Sequence, residues 1–235
     1  MSNNHTARIV WRVLKTSFAL LIFFVCFVLV LRMCTSGDPE SMSRLSINQQ
    51  LKDAYAQHGD DLLLQYQNQT SITLGANNRG YFSVTQYVFI PEAKQVQLVF
   101  RYNNSTIQHL KEDYQLSELP SKEAHLFDVT LVVTTDLTPD NREDNIEPST
   151  LKSERYQPTQ SQRDTTALYT YYRYTFDNVL VEDLTVGVFA DIYYVGDLNY
   201  EEPAYGTLCL YDDMSDWMTK KLTQAEIEAL REDKK

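Results

Sequence analysis

Hydrophobic positions are most concentrated near the N-terminus, where residues 18–31 read FALLIFFVCFVLVL. As a helix this apolar run covers roughly 21 Å, which is short of a hydrocarbon core of about 30 Å. Including the flanking residues extends the helix to about 28 Å, and the long side chains of Lys15 and Arg32 reach the headgroups at either end. The pattern predicts a transmembrane signal-anchor helix over residues 16–34.

The charges around this run predict its orientation. Before it come Arg8, Arg12 and Lys15 and no acid, whereas the first charges beyond Arg32 are acidic. Lysine and arginine accumulate on the cytoplasmic side of a span, so residues 1–15 are expected to form a cytoplasmic basic tail. The rest of the chain then lies outside the cell membrane, behind a polar tether at residues 35–44. A cleaved signal peptide ending before Gly37 is the alternative interpretation.

Beyond the tether, apolar and polar residues alternate with a period of two, which is typical of half-buried strands. Such runs occur at residues 81–90, 95–102, 126–135, 167–176, 184–195 and 205–211, with a shorter one at 71–74. The first two are separated by PEAK and predict a hairpin, and the strict alternation over 184–195 predicts a central strand. Modest helical patterns occur at residues 45–56 and 107–114.

The period changes again at the C-terminus. Thr223 and Glu226 have the spacing of a capping box, which predicts a helix over residues 224–233. The sequence therefore predicts a mostly β fold, an antiparallel β-sandwich of immunoglobulin-like or α+β type. This domain covers residues 45–215 and is followed by a helical tail at 216–235. Polar residues 136–165 interrupt the strands and predict one long mobile loop.

Composition limits the function classes. The 235-residue chain carries a formal net charge of −11. Its first 37 residues hold four basic residues and no acid, so the remainder carries −15. Such a surface repels phosphate backbones and argues against nucleic acid as a partner. Only Cys209 lies in the domain, so an internal disulfide framework is excluded there.

Tyrosines dominate one predicted strand, ALYTYYRYTF at residues 167–176. Alternation places Tyr169 and Tyr171 on one face and Tyr172 and Tyr174 on the other. If one face is exposed, these rings predict a binding surface for sugars or a protein partner. The alternative is the ordinary preference of tyrosine for strands and cross-strand pairs.

Acidic residues in the predicted loop suggest a cation site. Asp136, Asp140, Glu143 and Asp144 supply oxygens of the kind that calcium prefers, although their spacing matches no EF-hand loop. The alternative is a solvated run of charges. Residues 212–216 contain Asp212, Asp213 and Asp216 and raise the same question.

Three asparagines beyond the predicted span begin glycosylation sequons: Asn68, Asn103 and Asn104. They are expected to carry glycans only if the chain passes through a eukaryotic secretory pathway.

No catalytic or phosphate-binding motif occurs in the sequence, and no cofactor is expected. The leading hypothesis is a single-pass, membrane-anchored extracytoplasmic binding module without catalytic activity. Its partner would be a protein or a glycan. One alternative is an exported hydrolase that cleaves glycans or peptides through loop carboxylates. Another is an accessory subunit of a membrane complex.

Overall fold

A computed structural model describes residues 11, 14–28, 39–67, 82–136, 151–181, 185–196, 206–211 and 217–232. The chain divides into two compact units, Met1–Asp38 and Pro39–Lys235. In the first, residues 14–28 are helical (α1), and every side chain in that range is exposed. Within the described ranges, none of the helices combines the length and the hydropathy that crossing a bilayer requires. Residues 29–34 of the predicted span lie outside those ranges.

The second unit is built on two antiparallel sheets. Sheet A has six strands in the order β10-β1-β2-β3-β7-β6, and sheet B has four in the order β5-β4-β8-β9. The strands of sheet A are β1 (Leu63–Gln67), β2 (Phe82–Ile90), β3 (Gln95–Asn103), β6 (Gln160–Thr165), β7 (Tyr169–Phe176) and β10 (Trp217–Lys221). Those of sheet B are β4 (Phe127–Asp136), β5 (Leu151–Tyr156), β8 (Thr185–Tyr194) and β9 (Gly206–Tyr211).

The main core lies between the inner faces of these sheets. Buried side chains of β2, β3 and β7 form one cluster with those of β4, β8 and β9. Phe82 of sheet A meets Phe127 of sheet B edge-on, with ring centroids 4.8 Å apart. Face-to-face burial of two antiparallel sheets is the arrangement of a β-sandwich. The predicted mostly β, antiparallel fold is therefore confirmed, as are the β2–β3 hairpin and the interior position of β8.

Helices cover part of the opposite face of sheet A. They are α2 (Glu40–Ser43), α3 (Gln49–His58), which is followed by a 3₁₀ turn (Gly59–Asp61), and α5 (Gln224–Glu232). Helix α4 (Thr106–Asp113) instead contributes Ile107 and Leu110 to the main core. Leu51 of α3 and Leu230 of α5 join Val88 and Ile90 of β2 in a second apolar cluster. Gly59 caps the C-terminus of α3, and its φ of 61° lies in the left-handed region that favours glycine. At α5 the predicted capping box forms, because Thr223 N–H donates to Glu226 Oε2 at 2.7 Å.

Two predicted segments differ from the structure. The proposed loop 136–165 contains β5 and β6, which pair with β4 and β7, whereas residues 137–150 lie outside the described residues. The predicted C-terminal tail begins with β10, which pairs with β1 along its whole length. All three are edge strands, and edge strands tolerate polar side chains on both faces, so alternation does not reveal them.

The predicted tether also differs at its C-terminal end. Residues 39–44 belong to the second unit, and Met42 is buried against Val99 and Tyr171 on the outer face of sheet A. We call residues 39–48 the docked segment. The predicted short strand at residues 71–74 lies outside the described residues.

Candidate functional site

Two of the predicted ligand-binding tyrosines lie in the sandwich core. Tyr172 and Tyr174 are buried on the inner face of β7, and their stacked rings have centroids 5.9 Å apart. Leu126 N–H donates to the Tyr172 hydroxyl at 3.1 Å, and the Tyr174 hydroxyl donates to the carbonyl of Phe127. Burial raises the pKa of both phenols above the ordinary value. These rings join the two sheets and present no surface to a ligand.

The other two tyrosines lie on the outer face of β7. Tyr171 is buried beneath the docked segment, and only Tyr169 is partly exposed. The guanidinium of Arg101 stands 4.5 Å from the centroid of the Tyr169 ring and donates to the Tyr171 hydroxyl at 3.3 Å. Of the four tyrosines, only Tyr169 therefore keeps part of its side chain open to solvent, because the docked segment covers Tyr171 on the side that the core does not.

The predicted acidic site falls largely outside the described residues. Asp136 ends β4 and is partly buried, whereas Asp140, Glu143 and Asp144 lie in the undescribed range 137–150. Asp212, Asp213 and Asp216 also lie outside the described residues. Among the residues that the structure does describe, no three potential metal ligands form a group. The cation site remains a prediction from the sequence.

The three sequon asparagines differ in their surroundings. Asn68 lies outside the described residues, and Asn103 is exposed at the end of β3. Asn104 is partly buried: its Nδ2 donates to the carbonyls of Thr166 and Ala167 at 3.1 and 3.3 Å, and its Oδ1 accepts from the Thr170 hydroxyl at 2.7 Å. A glycan on Asn104 would displace a hydrogen atom that these contacts use, so Asn103 is the more accessible acceptor.

We expect Asn104→Ala to lower the free energy of unfolding by about 2 kcal/mol, because the variant loses the three hydrogen bonds that the Asn104 side chain makes to residues 166, 167 and 170. In a domain of this size this corresponds to about 4–8 °C in Tm. The matched variant Asn103→Ala loses only a local bond from Ser105 N–H and should melt within about 2 °C of the parent. Equal Tm values for the two variants in thermal denaturation would contradict this assignment.

Two buried or partly buried carboxylates are held by neighbours in the sandwich. Asp191 accepts from Thr207 Oγ1 at 2.6 Å and forms an ion pair with Arg155. Asp177 accepts from the amide groups of Asn48 and Gln95 and from Thr159 Oγ1. These contacts fix both carboxylates within the fold.

A polar lattice occupies the middle of the outer face of sheet A. Strand register places Gln97 of β3, Thr175 of β7 and Gln160 of β6 in one row. The next row consists of Val99, Arg173 and Gln162 in the same strands. Gln97, Thr175 and Arg173 are each at most 2% exposed, although a strand centre usually buries apolar side chains. The middle of the outer face of sheet A therefore buries polar groups that require hydrogen-bond partners.

The docked segment lies across this lattice and is held by hydrogen bonds. Ser46 N–H donates to Gln97 Oε1 at 2.7 Å, and Gln97 Nε2 donates back to the Ser46 carbonyl at 2.8 Å. Ser46 Oγ donates to Gln160 Oε1 at 3.1 Å, and Ser41 donates to Asp164. At the end of the segment Asn48 caps α3 by accepting from Leu51 N–H at 3.0 Å.

Between the docked segment and β6 lies a cavity of about 320 Å³. It is lined by Ser46, Gln160, Ser161, Gln162, Arg173 and Thr175. The only hydrogen bond given by the Arg173 guanidinium within the described part of the chain runs from Nη1 to Gln162 Oε1 at 3.4 Å. Its Nε and Nη2, and the hydroxyl of Thr175, are buried without a partner among these residues. Burial lowers the pKa of Arg173 to about 10.

Sequence reasoning did not single out Arg173, although a signal was present. Alternation in ALYTYYRYTF puts Arg173 on the face of Tyr169 and Tyr171, so a charge occurs within an otherwise aromatic, uncharged strand. A charged residue at such a position is a candidate for a buried binding group.

Comparisons with known proteins found no match: no protein-family model, no curated protein and no solved structure is similar to this chain.

Proposed function

We propose that the protein is a single-pass, membrane-anchored binding module whose sandwich domain lies outside the cell and performs no chemistry. The observation that carries this proposal is the exposure of helix α1. Large apolar side chains predominate from Phe18 to Val28, including Phe23 at 69% and Phe24 at 63% exposure. A contiguous apolar surface of this kind is unfavourable in water and is typical of a segment that meets lipid or protein.

The sequence around α1 supports the proposal that its apolar surface contacts membrane lipid. The apolar run continues to Leu31 beyond the described end of the helix, and Arg12 and Lys15 precede it. We propose that the helix extends across the bilayer with its basic N-terminus in the cytoplasm and the second unit outside the cell membrane. Because the apolar run is short, the long side chains of the basic flanks would reach the headgroups.

Binding is favoured over catalysis by the chemistry of the polar lattice. Its side chains are amides, hydroxyls and one guanidinium, which recognise ligands by hydrogen bonds. Nucleophilic catalysis needs a nucleophile beside a general base, and none of the six residues around the described cavity is a base of that kind. The proposed partner of the domain is a protein or a glycan.

Membrane fractionation tests the anchor. We expect the full chain to sediment with membranes and to remain there after an alkaline carbonate wash. Phe23→Asp should move most of it to the supernatant, because a charge at the helix centre costs about 2.5–3.5 kcal/mol of insertion free energy and the span has little apolar length to spare.

The matched control is Leu119→Asp, which adds the same charge at an exposed apolar residue of the sandwich unit. This variant should fractionate like the parent chain. Recovery of the parent chain in the supernatant, or a mature N-terminus at Gly37, would reject the retained anchor. Resistance of the domain to protease added from outside would reject the orientation.

A further inference from the structure

We infer that the cavity beside Arg173 binds a small hydroxylated carboxylate, of the class of a single sugar acid. The inference deepens the proposed binding role and rests on it, since it names the ligand class that one part of the domain recognises. It is carried by the buried guanidinium, its unpartnered donors and the neutral polar walls around them.

The first step is the uncompensated charge. Arg173 is 2% exposed, and no carboxylate of the described residues forms an ion pair with it. A buried cation without a counterion is costly, and proteins retain such a group where it meets an anion. The domain is otherwise acidic, so a single buried arginine gives the cavity a local charge opposite to that of the whole chain.

The second step is the geometry of the free donors. Nε and Nη2 form one edge of the guanidinium plane, and both lack a hydrogen-bond partner in the described part of the protein. Two parallel N–H groups on one edge match the two oxygens of a carboxylate in a bidentate pair. One positive charge neutralises one carboxylate, whereas a phosphate dianion would leave excess negative charge in a partly buried site.

The third step is the composition of the walls. Ser46, Gln160, Gln162 and Thr175 are neutral and offer both donors and acceptors, and the hydroxyl of Thr175 has no partner among the described residues. Such groups hydrogen-bond to the hydroxyls of a ligand, which are donors and acceptors themselves. The carboxylate is therefore expected at Arg173, with the hydroxyls toward the amides and hydroxyls of β6 and the docked segment.

Size and access fit a compact ligand. The volume of about 320 Å³ lies at the lower end of the range of about 300–1,000 Å³ for small-molecule sites. Gln160, Ser161 and Gln162 are exposed on the edge strand β6, so the cavity is reached from solvent along that strand. Nε and Nη2 are themselves covered, and entry of the carboxylate requires the exposed glutamine side chains to shift.

Thermal unfolding of the full-length protein in detergent tests the inference, with sodium D-glucuronate as the probe. Glucuronate should raise the Tm of the parent chain by about 5–10 °C at one hundred times Kd. Glucose lacks the carboxylate and should cause no shift. Inorganic phosphate separates general anion binding from carboxylate recognition and should shift the Tm less than glucuronate does.

Arg173 variants identify the site. Arg173→Met should abolish the glucuronate shift while leaving the ligand-free Tm equal to or above that of the parent, because an apolar side chain of similar size suits a buried position better than an unpaired charge. Arg173→Lys keeps the charge but loses the two parallel N–H groups of the guanidinium edge, and it should weaken glucuronate binding about 10- to 100-fold. The control Arg101→Met lies on the same face of the sheet and should retain the glucuronate shift.

Three results would overturn the inference. They are the absence of any glucuronate shift, an equal shift in Arg173→Met, and a phosphate shift at least as large as that of glucuronate. Loss of stability in ligand-free Arg173→Met, together with no shift in the parent, would assign the arginine a structural role. None of these results changes the expected outcome of membrane fractionation. A wrong ligand class and a wrong membrane anchor can therefore be told apart.

Discussion

Tyr174→Ala is expected to lower the free energy of unfolding by about 3–5 kcal/mol, the largest effect of any single substitution considered for this domain. The Tyr174 ring stacks on Tyr172 and Phe100 between the two sheets, with centroid distances of 5.9 and 5.8 Å. Its removal leaves a cavity and also frees the Phe127 carbonyl, which accepts from the Tyr174 hydroxyl. The Tm measured by circular dichroism should fall by about 6–20 °C.

Two controls separate the ring from the hydroxyl and from the strand. Tyr174→Phe keeps the ring and should cost about 1–2 kcal/mol of stability through the lost hydrogen bond. Tyr169→Ala removes a partly exposed tyrosine from the same strand and should cost less than Tyr174→Ala does. A Tyr174→Ala variant that melts like the parent but loses ligand binding would instead place this tyrosine on a binding surface.

Asn48→Ala is expected to cost about 3 kcal/mol of stability, or about 6–12 °C in Tm. Asn48 is buried and connects three parts of the domain. Its Nδ2 donates to both oxygens of Asp177, and its Oδ1 accepts from Gln95 Nε2 at 2.9 Å and from the N–H of Leu51. Alanine would remove the cap of α3 and the link between that helix and the end of β7.

Gln49→Ala provides the matched control for Asn48→Ala. Gln49 is the next residue, is exposed, and among the described residues its side chain bonds to Asp53 in the same helix. Its loss should change the free energy of unfolding by less than about 0.5 kcal/mol. If the Asn48 and Gln49 variants melt together, the docked segment contributes little to the stability of the sandwich.

Strands with alternating side chains were predictable from the sequence, and so was the C-terminal helix. In β3, for example, Leu98, Phe100 and Tyr102 alternate with Gln97 and Arg101, and this pattern places the first three in the core. At α5 the capping box is a local signal that depends only on residues 223–226. Local periodicity and local hydrogen bonds are the properties that a sequence displays directly.

The position of the docked segment on the outer face of sheet A was not predictable in the same way. Alternation separates the two faces of β7 but does not reveal which of them another element covers, and tyrosine suits both a core and a surface. Residues 39–44 read as a polar tether, yet Met42 is buried and Ser41 hydrogen-bonds to β6. These contacts join residues more than fifty positions apart, so no local pattern contains them.

The pairing of β1 with β10 affects the order in which the strands of the sandwich can pair during folding. Residues 63–67 pair with residues 217–221, so one edge of β1 stays unpaired until residue 221 has been synthesised. The β2–β3 hairpin closes over four intervening residues and is available far earlier. Contacts between distant positions form slowly, and an unpaired strand edge invites association with other chains. Pairing of β10 with β1 is therefore a late step of folding, and a chain that stops before residue 217 leaves one edge of β1 unpaired.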